Sequence, residues 1–366
     1  MTRVRLNPWM IVLALAVTYV GFTLARYGGD PMAFAMVGTR FATGDPEGTA
    51  GYDGQFAYYI ARAPLEGWRY CDVPAYRYQR ILYPILAWVL SAGQPNLVPW
   101  ALIGINIAAL TGGAYFTERL LLMLGANRWY SLVYGLYGGL IAGLRLNLTE
   151  PLAYGLVQAG LWAWAVGKRG RGMVLFLLAA LAKEMALVAV GGVVLSLVLE
   201  RRWRAALACV TVIGVPYVAW QSVLWAWLGS PGVGSGGAMA TPFEWLPFAG
   251  FVRVALVSLP AFLLLLAIEG PLFVAPAIWA VAASLRQMMR RDHVLWVTVL
   301  LAQGAVLAFL PFSSWREPLA MARIASGLMS STILFGAWRR SPRTLRFSTV
   351  WLATLALLAN ETVLPV

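Results

Sequence analysis

The chain has 366 residues, 60% of them hydrophobic and only 12% charged, and its mean hydropathy of +0.72 exceeds what a soluble core can hide. The net charge of +13 does not mark a nucleic-acid binder, because the basic residues collect in short connectors between apolar runs. Composition thus excludes a soluble catalytic domain and predicts an all-α polytopic membrane protein of about ten spans, a single integral membrane domain over residues 1–366.

The first apolar run, residues 7–26, ends in Arg26 and Tyr27 and lacks the small residues of a cleavage site, so it reads as a retained first helix. Residues 27–99 form a long segment rich in Gly, Pro, Tyr and charge, too long for a mere connector. Within it RILYPILAWVLSAG is apolar but too short to span, which predicts a helix lying in the interface. Spans are then predicted over 100–124, 129–146, 150–167, 172–182, 185–199 and 205–228, followed by a Gly-rich loop over 229–250. The last predicted spans cover 268–285, 294–311, 321–337 and 347–361, with 251–266 read as interfacial. No internal repeat is visible.

The connectors around Arg3, Arg128, Lys168, Arg201, Arg290 and Arg339 hold most of the basic residues, and only Glu118, Glu200 and Asp292 among the acids. The positive-inside rule makes these connectors and the N-terminus cytoplasmic, which leaves 27–99 and 229–250 outside. From Arg128 to Arg145 is about 25 Å of helix, and from Glu150 to Lys168 about 27 Å. Glu150 therefore lies near the outer surface, and the same ruler places Lys183 and Glu184 slightly below it. Cys71 in the first loop and Cys209 in an apolar run read as free thiols, and the single histidine, His293, excludes a histidine-based metal site.

The polar residues at that surface are the candidates for function. Asp53 stands in GYDGQFAYYIARAP beside Tyr52, Gln55, Tyr58 and Tyr59, which can bond a carboxylate or stack on a sugar; an interfacial aromatic belt would read the same way. Arg77 and Arg80, three apart in AYRYQRILYP and flanking Gln79, suit a phosphate, although snorkelling arginines at lipid headgroups would share the pattern. Glu150, Lys183 and Glu184 are ionisable groups at the ends of apolar runs, where burial without a partner is costly; helix-end roles for them are the plainer alternative. Arg316 and Glu317 read as a local surface ion pair. Gly232, Gly234 and Gly237 fit GxGxxG without a preceding strand, and Asn147 and Asn360 head sequons pressed against spans, so neither pattern carries weight.

The order of YDGQFAYYIARAP, DVPAYRYQRILYP, Thr149–Glu150–Pro151 and Ala182–Lys183–Glu184 resembles the GT-C superfamily of polytopic glycosyltransferases, over roughly the first 200 residues. The likeness is nearest to bacterial proteins of cell-surface glycopolymer formation and extends to aminoarabinose transferases and protein O-mannosyltransferases. It implies a GT-C-like bundle in the bacterial cytoplasmic membrane and a site facing the periplasm or exterior. The implied reaction moves a sugar, with inversion, from a polyprenyl-phosphate donor to a glycan or lipid acceptor.

On that resemblance Asp53 would be the base or acceptor-orienting acid, and Arg80, Arg77 and Lys183 would hold the donor phosphate. Tyr52, Gln55, Tyr59, Gln79, Glu150 and Glu184 would support the substrates. Many such enzymes carry two neighbouring acids in the first loop, whereas Gly54 follows Asp53 here, so a divalent cation is left open. The competing expectations are a transporter or flippase of a lipid-linked saccharide, or a non-catalytic envelope subunit.

Overall fold

Apolar sequence becomes helix throughout this protein, and proline marks where several helices begin. Pro8, Pro99, Pro151, Pro260, Pro318 and Pro342 all stand in a first turn, where the missing N–H removes no helical hydrogen bond. A computed structural model describes residues 6–292 and 294–359, which are 74% helix with no strand. Arg3, Arg5, His293 and Asn360 lie outside the described residues.

Among the described residues, four helices are long and apolar enough to cross a membrane: Pro8–Arg26, Val98–Met123, Trp203–Leu228 and Leu259–Met289. A fifth is Pro318–Ile324 with Ser326–Trp338, if that pair, bent by 48°, is counted as one span. Much of their apolar surface points outward, as at Val17, Leu207, Val215, Val218, Leu263 and Leu264, in the manner of helices bathed in lipid. Glu150–Ala165 lies inside this shell, packed on Val98–Met123 and Arg169–Ala182. The approach is close at Gly155, where a Cβ would stand 2.6 Å from the carbonyl oxygen of Ala109.

Several predicted spans take a different form. Residues 129–146 are not one helix: the chain breaks into Arg128–Tyr130, Ser131–Gly135 and Gly138–Arg145. The break is held by the Gly138 N–H, which donates to Thr354 Oγ1 at 2.9 Å, and only glycine fits there, since a Cβ would lie 2.3 Å from the Thr354 carbonyl oxygen. The predicted boundary between 251–266 and 268–285 also moves. Ala249–Val257 is a separate nine-residue helix, too short to span, and the chain breaks at Ser258, whose hydroxyl caps Leu259–Glu269. The helix then continues to Met289 through a π segment at Gly270–Val274. The last stretch, Thr349–Leu358, is a 3-10 helix of ten residues. The short apolar helix of the first loop forms as expected, over Leu82–Leu90, and Cys71 and Cys209 are free.

Candidate active site

The site is built where four breaks in helix meet. Asp53 precedes Gly54–Arg62, Arg77 and Arg80 flank the end of Pro74–Tyr78, Glu150 opens Glu150–Ala165, and Lys183 and Glu184 fill the gap between Arg169–Ala182 and Ala186–Leu199. Asp53, Arg77, Arg80 and Glu150 line one cavity with Phe56, Ala57, Ile60, Pro84, Asn147, Leu148, Thr149 and Arg323. Its free space is about 30 Å³, room for roughly two water molecules.

Arg323 is the centre of the cluster, and the sequence reading passed over it. Its Nε donates to Glu150 Oε1 at 2.8 Å, its Nη1 to the Tyr52 hydroxyl at 2.8 Å, and its Nη2 to Asp53 Oδ2 at 3.3 Å. The bend after Ile324 puts it there. Carbonyls freed by that bend find new donors: Ala322 accepts from the Tyr137 hydroxyl at 2.7 Å, Ile324 from that of Tyr154, and Arg323 from Ser326. The signal available in sequence was an arginine inside an otherwise apolar run, the same rule that had singled out Lys183.

The remaining charges interlock around it. Arg77 Nη1 meets Asp53 Oδ1 at 2.9 Å, while Nε and Nη2 hold Asp72 in a fork at 2.7 and 2.8 Å and the guanidinium lies over the Phe56 ring at 4.1 Å. Arg80 forks onto Glu184 at 2.8 and 2.6 Å and also donates to the Tyr76 hydroxyl. Lys183 Nζ donates to Glu150 Oε1 at 2.7 Å. Each guanidinium of this cluster thus has a carboxylate, which offsets the cost of burying it.

Burial would push the Asp53 carboxyl up, but the guanidiniums of Arg77, then Arg323 and Arg80, outweigh it and hold the group well below the ordinary value of 3.8. Asp72 is likewise lowered: burial opposes, and the bonds from Arg77 prevail. Glu317 is displaced the other way, raised by burial against the pull of Arg323.

Not every residue nominated from sequence faces the cavity. Lys183 is spent on Glu150, and Glu184 on Arg80. Gln55 is a structural clamp: its Oε1 accepts from the Gly38 N–H at 3.0 Å and its Nε2 donates to the Ala50 carbonyl at 2.7 Å. Tyr59 stacks on Tyr70 with ring centroids 4.9 Å apart, and Gln79 packs under Gly232 of the Gly-rich loop. Neither lines the cavity. Glu317 is no surface partner of Arg316: it accepts from the Tyr52 hydroxyl at 2.8 Å, and Arg316 lies over Phe312. Asn147, dismissed above as a sequon, lines the cavity.

No family model, curated protein or solved structure matches the chain. The geometry itself carries the reading. Gly54 now has a steric reason, since a Cβ there would stand 1.9 Å from the Leu146 carbonyl oxygen, so no second acid can occupy the position. The lining brings three guanidiniums to two carboxylates, and among the described residues no three acids, cysteines or histidines converge. That donor set does not fit a divalent cation.

Proposed function

We propose that this protein is an inverting, GT-C-like glycosyltransferase that moves a sugar from a polyprenyl-phosphate donor to a cell-envelope glycan or lipid acceptor. In this reading about ten crossings, several of them by helices shorter or more broken than ordinary spans, embed it in the bacterial cytoplasmic membrane. The N-terminus lies in the cytoplasm and the Asp53 cavity faces outward. The observation that carries the reading is the convergence of Arg77, Arg80 and Arg323 on Asp53 and Glu150 in one cavity, at the ends of apolar helices. A donor delivered by lipid needs its reacting end bound at membrane level, and guanidiniums are suited to its phosphate oxygens.

The acceptor hydroxyl attacks the anomeric carbon, the bond from that carbon to the phosphate oxygen breaks, and the phosphate leaves with its lipid. The hydroxyl proton passes to Asp53. A carboxylate tied to two arginines is a weak base, so donor binding has a second role here. An incoming phosphate competes for Arg77 and Arg323, releases Asp53 from them and raises its basicity when the substrate is in place. Arg77, Arg80 and Arg323 in the cavity lining are the groups placed to meet the leaving phosphate.

One feature favours a transport reading instead. Glu269, fully buried with both carboxylate oxygens unpartnered, sits beside the π segment of Leu259–Met289, and intramembrane acids mark transport pathways. Proteoliposomes loaded with a labelled polyprenyl-phosphate sugar and given an acceptor extract separate the two. Transfer of label to acceptor, abolished in Asp53→Asn at equal protein, supports catalysis. Movement of labelled lipid between leaflets without transfer supports transport.

A further inference from the structure

The cavity is divided by its hydrogen-bonding chemistry. Its guanidiniums are engaged by carboxylates, yet three buried polar atoms of two other lining residues have no partner: Asn147 Nδ2, Asn147 Oδ1 and Glu150 Oε2. Asn147 is fully buried, and an unpaired amide in that position is costly unless a ligand or water completes it.

The fold goes to some length to put it there. Asn147 adopts a left-handed backbone, φ +49°, in the turn between Gly138–Arg145 and Glu150–Ala165. The turn is pinned on both sides. Asn106 Nδ2 donates to the carbonyls of Gly143 and Leu148 at 3.1 Å each, the Leu148 N–H donates to the Gly143 carbonyl at 2.8 Å, and Gly54 presses on the carbonyl of Leu146. Asn147 is thereby fixed by backbone contacts while its side chain stays uncommitted, the usual arrangement of a residue held ready for a ligand.

The three atoms also identify the ligand chemistry. Phosphate oxygens only accept hydrogen bonds, and Glu150 Oε2 and Asn147 Oδ1 would repel them. A cation only donates or coordinates, and would leave Asn147 Nδ2 unmet. A hydroxyl both donates and accepts, and a pair of neighbouring hydroxyls matches one amide and one carboxylate oxygen. The free space, enough for about two waters, is the size of two hydroxyl groups rather than a whole ring.

We infer that Asn147 and Glu150 Oε2 form the hydroxyl-recognition end of the site, taking two neighbouring hydroxyls of a saccharide whose ring stays at the cavity mouth and whose phosphate lies on the arginine wall. This rests on the donor reading above, and it assigns the sugar's specificity contacts to residues separate from those that hold the phosphate.

The test compares equilibrium binding of a short-chain polyprenyl phosphate with that of the same lipid bearing a hexose, using the purified full-length protein. Asn147→Gly keeps the left-handed backbone and removes the amide; Asn147→Ala also removes it, and neither adds a charge to the cavity. The wild type should favour the hexose lipid by roughly tenfold, and both variants should erase that preference while binding bare polyprenyl phosphate as the wild type does. If both variants keep the wild-type preference, Asn147 meets only water and the inference is overturned. Equal weakening for both lipids also overturns it, by making Asn147 a structural residue. If the wild type binds neither lipid, the donor reading fails and takes this assignment with it, an outcome distinct from the other two.

Discussion

Arginines gather at both ends of the helix Ser326–Trp338, about 20 Å apart along its axis, and the two groups are opposite in character. At one end Arg77, Arg80 and Arg323 are each at least 92% buried and each is forked onto or paired with a carboxylate. At the other, Arg286 and Arg339 are exposed and line a wider cavity of about 360 Å³ with Gln287, Ser341 and Thr344, and no carboxylate lines it. In the proposed topology the second group needs no further explanation, since that end would face the cytoplasm, where basic residues collect. The first cannot be explained that way. Burying three guanidiniums with their partners is expensive and leaves stability little better than an apolar core would, so such a cluster is evidence of use rather than of stabilisation.

The largest effect should come from breaking the buried group at its centre. Arg323→Met leaves Glu150 with Lys183 alone and Asp53 with Arg77 alone, and unfolding of the purified protein in detergent should show a loss of about 3–5 kcal/mol. A loss under 1 kcal/mol would mean that the cluster is not electrostatically coupled. Gly54→Ala comes next. The backbone must move to relieve the clash with Leu146, at about 1–3 kcal/mol, and transfer should fall with it because Asp53 and Asn147 are both displaced.

A smaller effect is expected in pH dependence. The folded Asp53 carboxyl lies below its ordinary 3.8, so its share of stability is complete above that value and disappears as pH falls through the lower, folded value. The acid limb of kcat/KM, which reports the free enzyme, should accordingly lie below the ordinary carboxylate range, and a limb near pH 5 would contradict the pairing with Arg77 and Arg323. Least of all should follow from Arg286→Gln with Arg339→Gln. Stability should stay within about 0.5 kcal/mol of wild type, since neither side chain is buried.

The contrast also explains what the sequence could and could not reveal. Charges are rare in this chain, so Asp53, Arg77, Arg80, Glu150 and Glu184 stand out in print, and all belong to the cluster. Arg323 was hidden by its surroundings, because a hydropathy average over 321–337 absorbs one arginine and gives no hint of the bend beside it. Gln55, Tyr59 and Gln79 are the reverse case. They are polar neighbours of site residues, but neighbours in sequence can point to different faces, and theirs point to loop backbone, Tyr70 and Gly232. The breaks at Gly138 and Ser258 were similarly concealed, since each depends on a contact with a distant segment or a local cap that composition does not record.

The most direct measurement places one variant from each end side by side. Proteoliposomes holding equal amounts of wild type, Asp53→Asn, or the Arg286→Gln and Arg339→Gln double variant receive a labelled polyprenyl-phosphate sugar and acceptor, and the initial rate of transfer is followed. The account predicts a fall of at least about a hundredfold in Asp53→Asn and a rate near that of wild type in the double variant. Wild-type transfer by Asp53→Asn would contradict it.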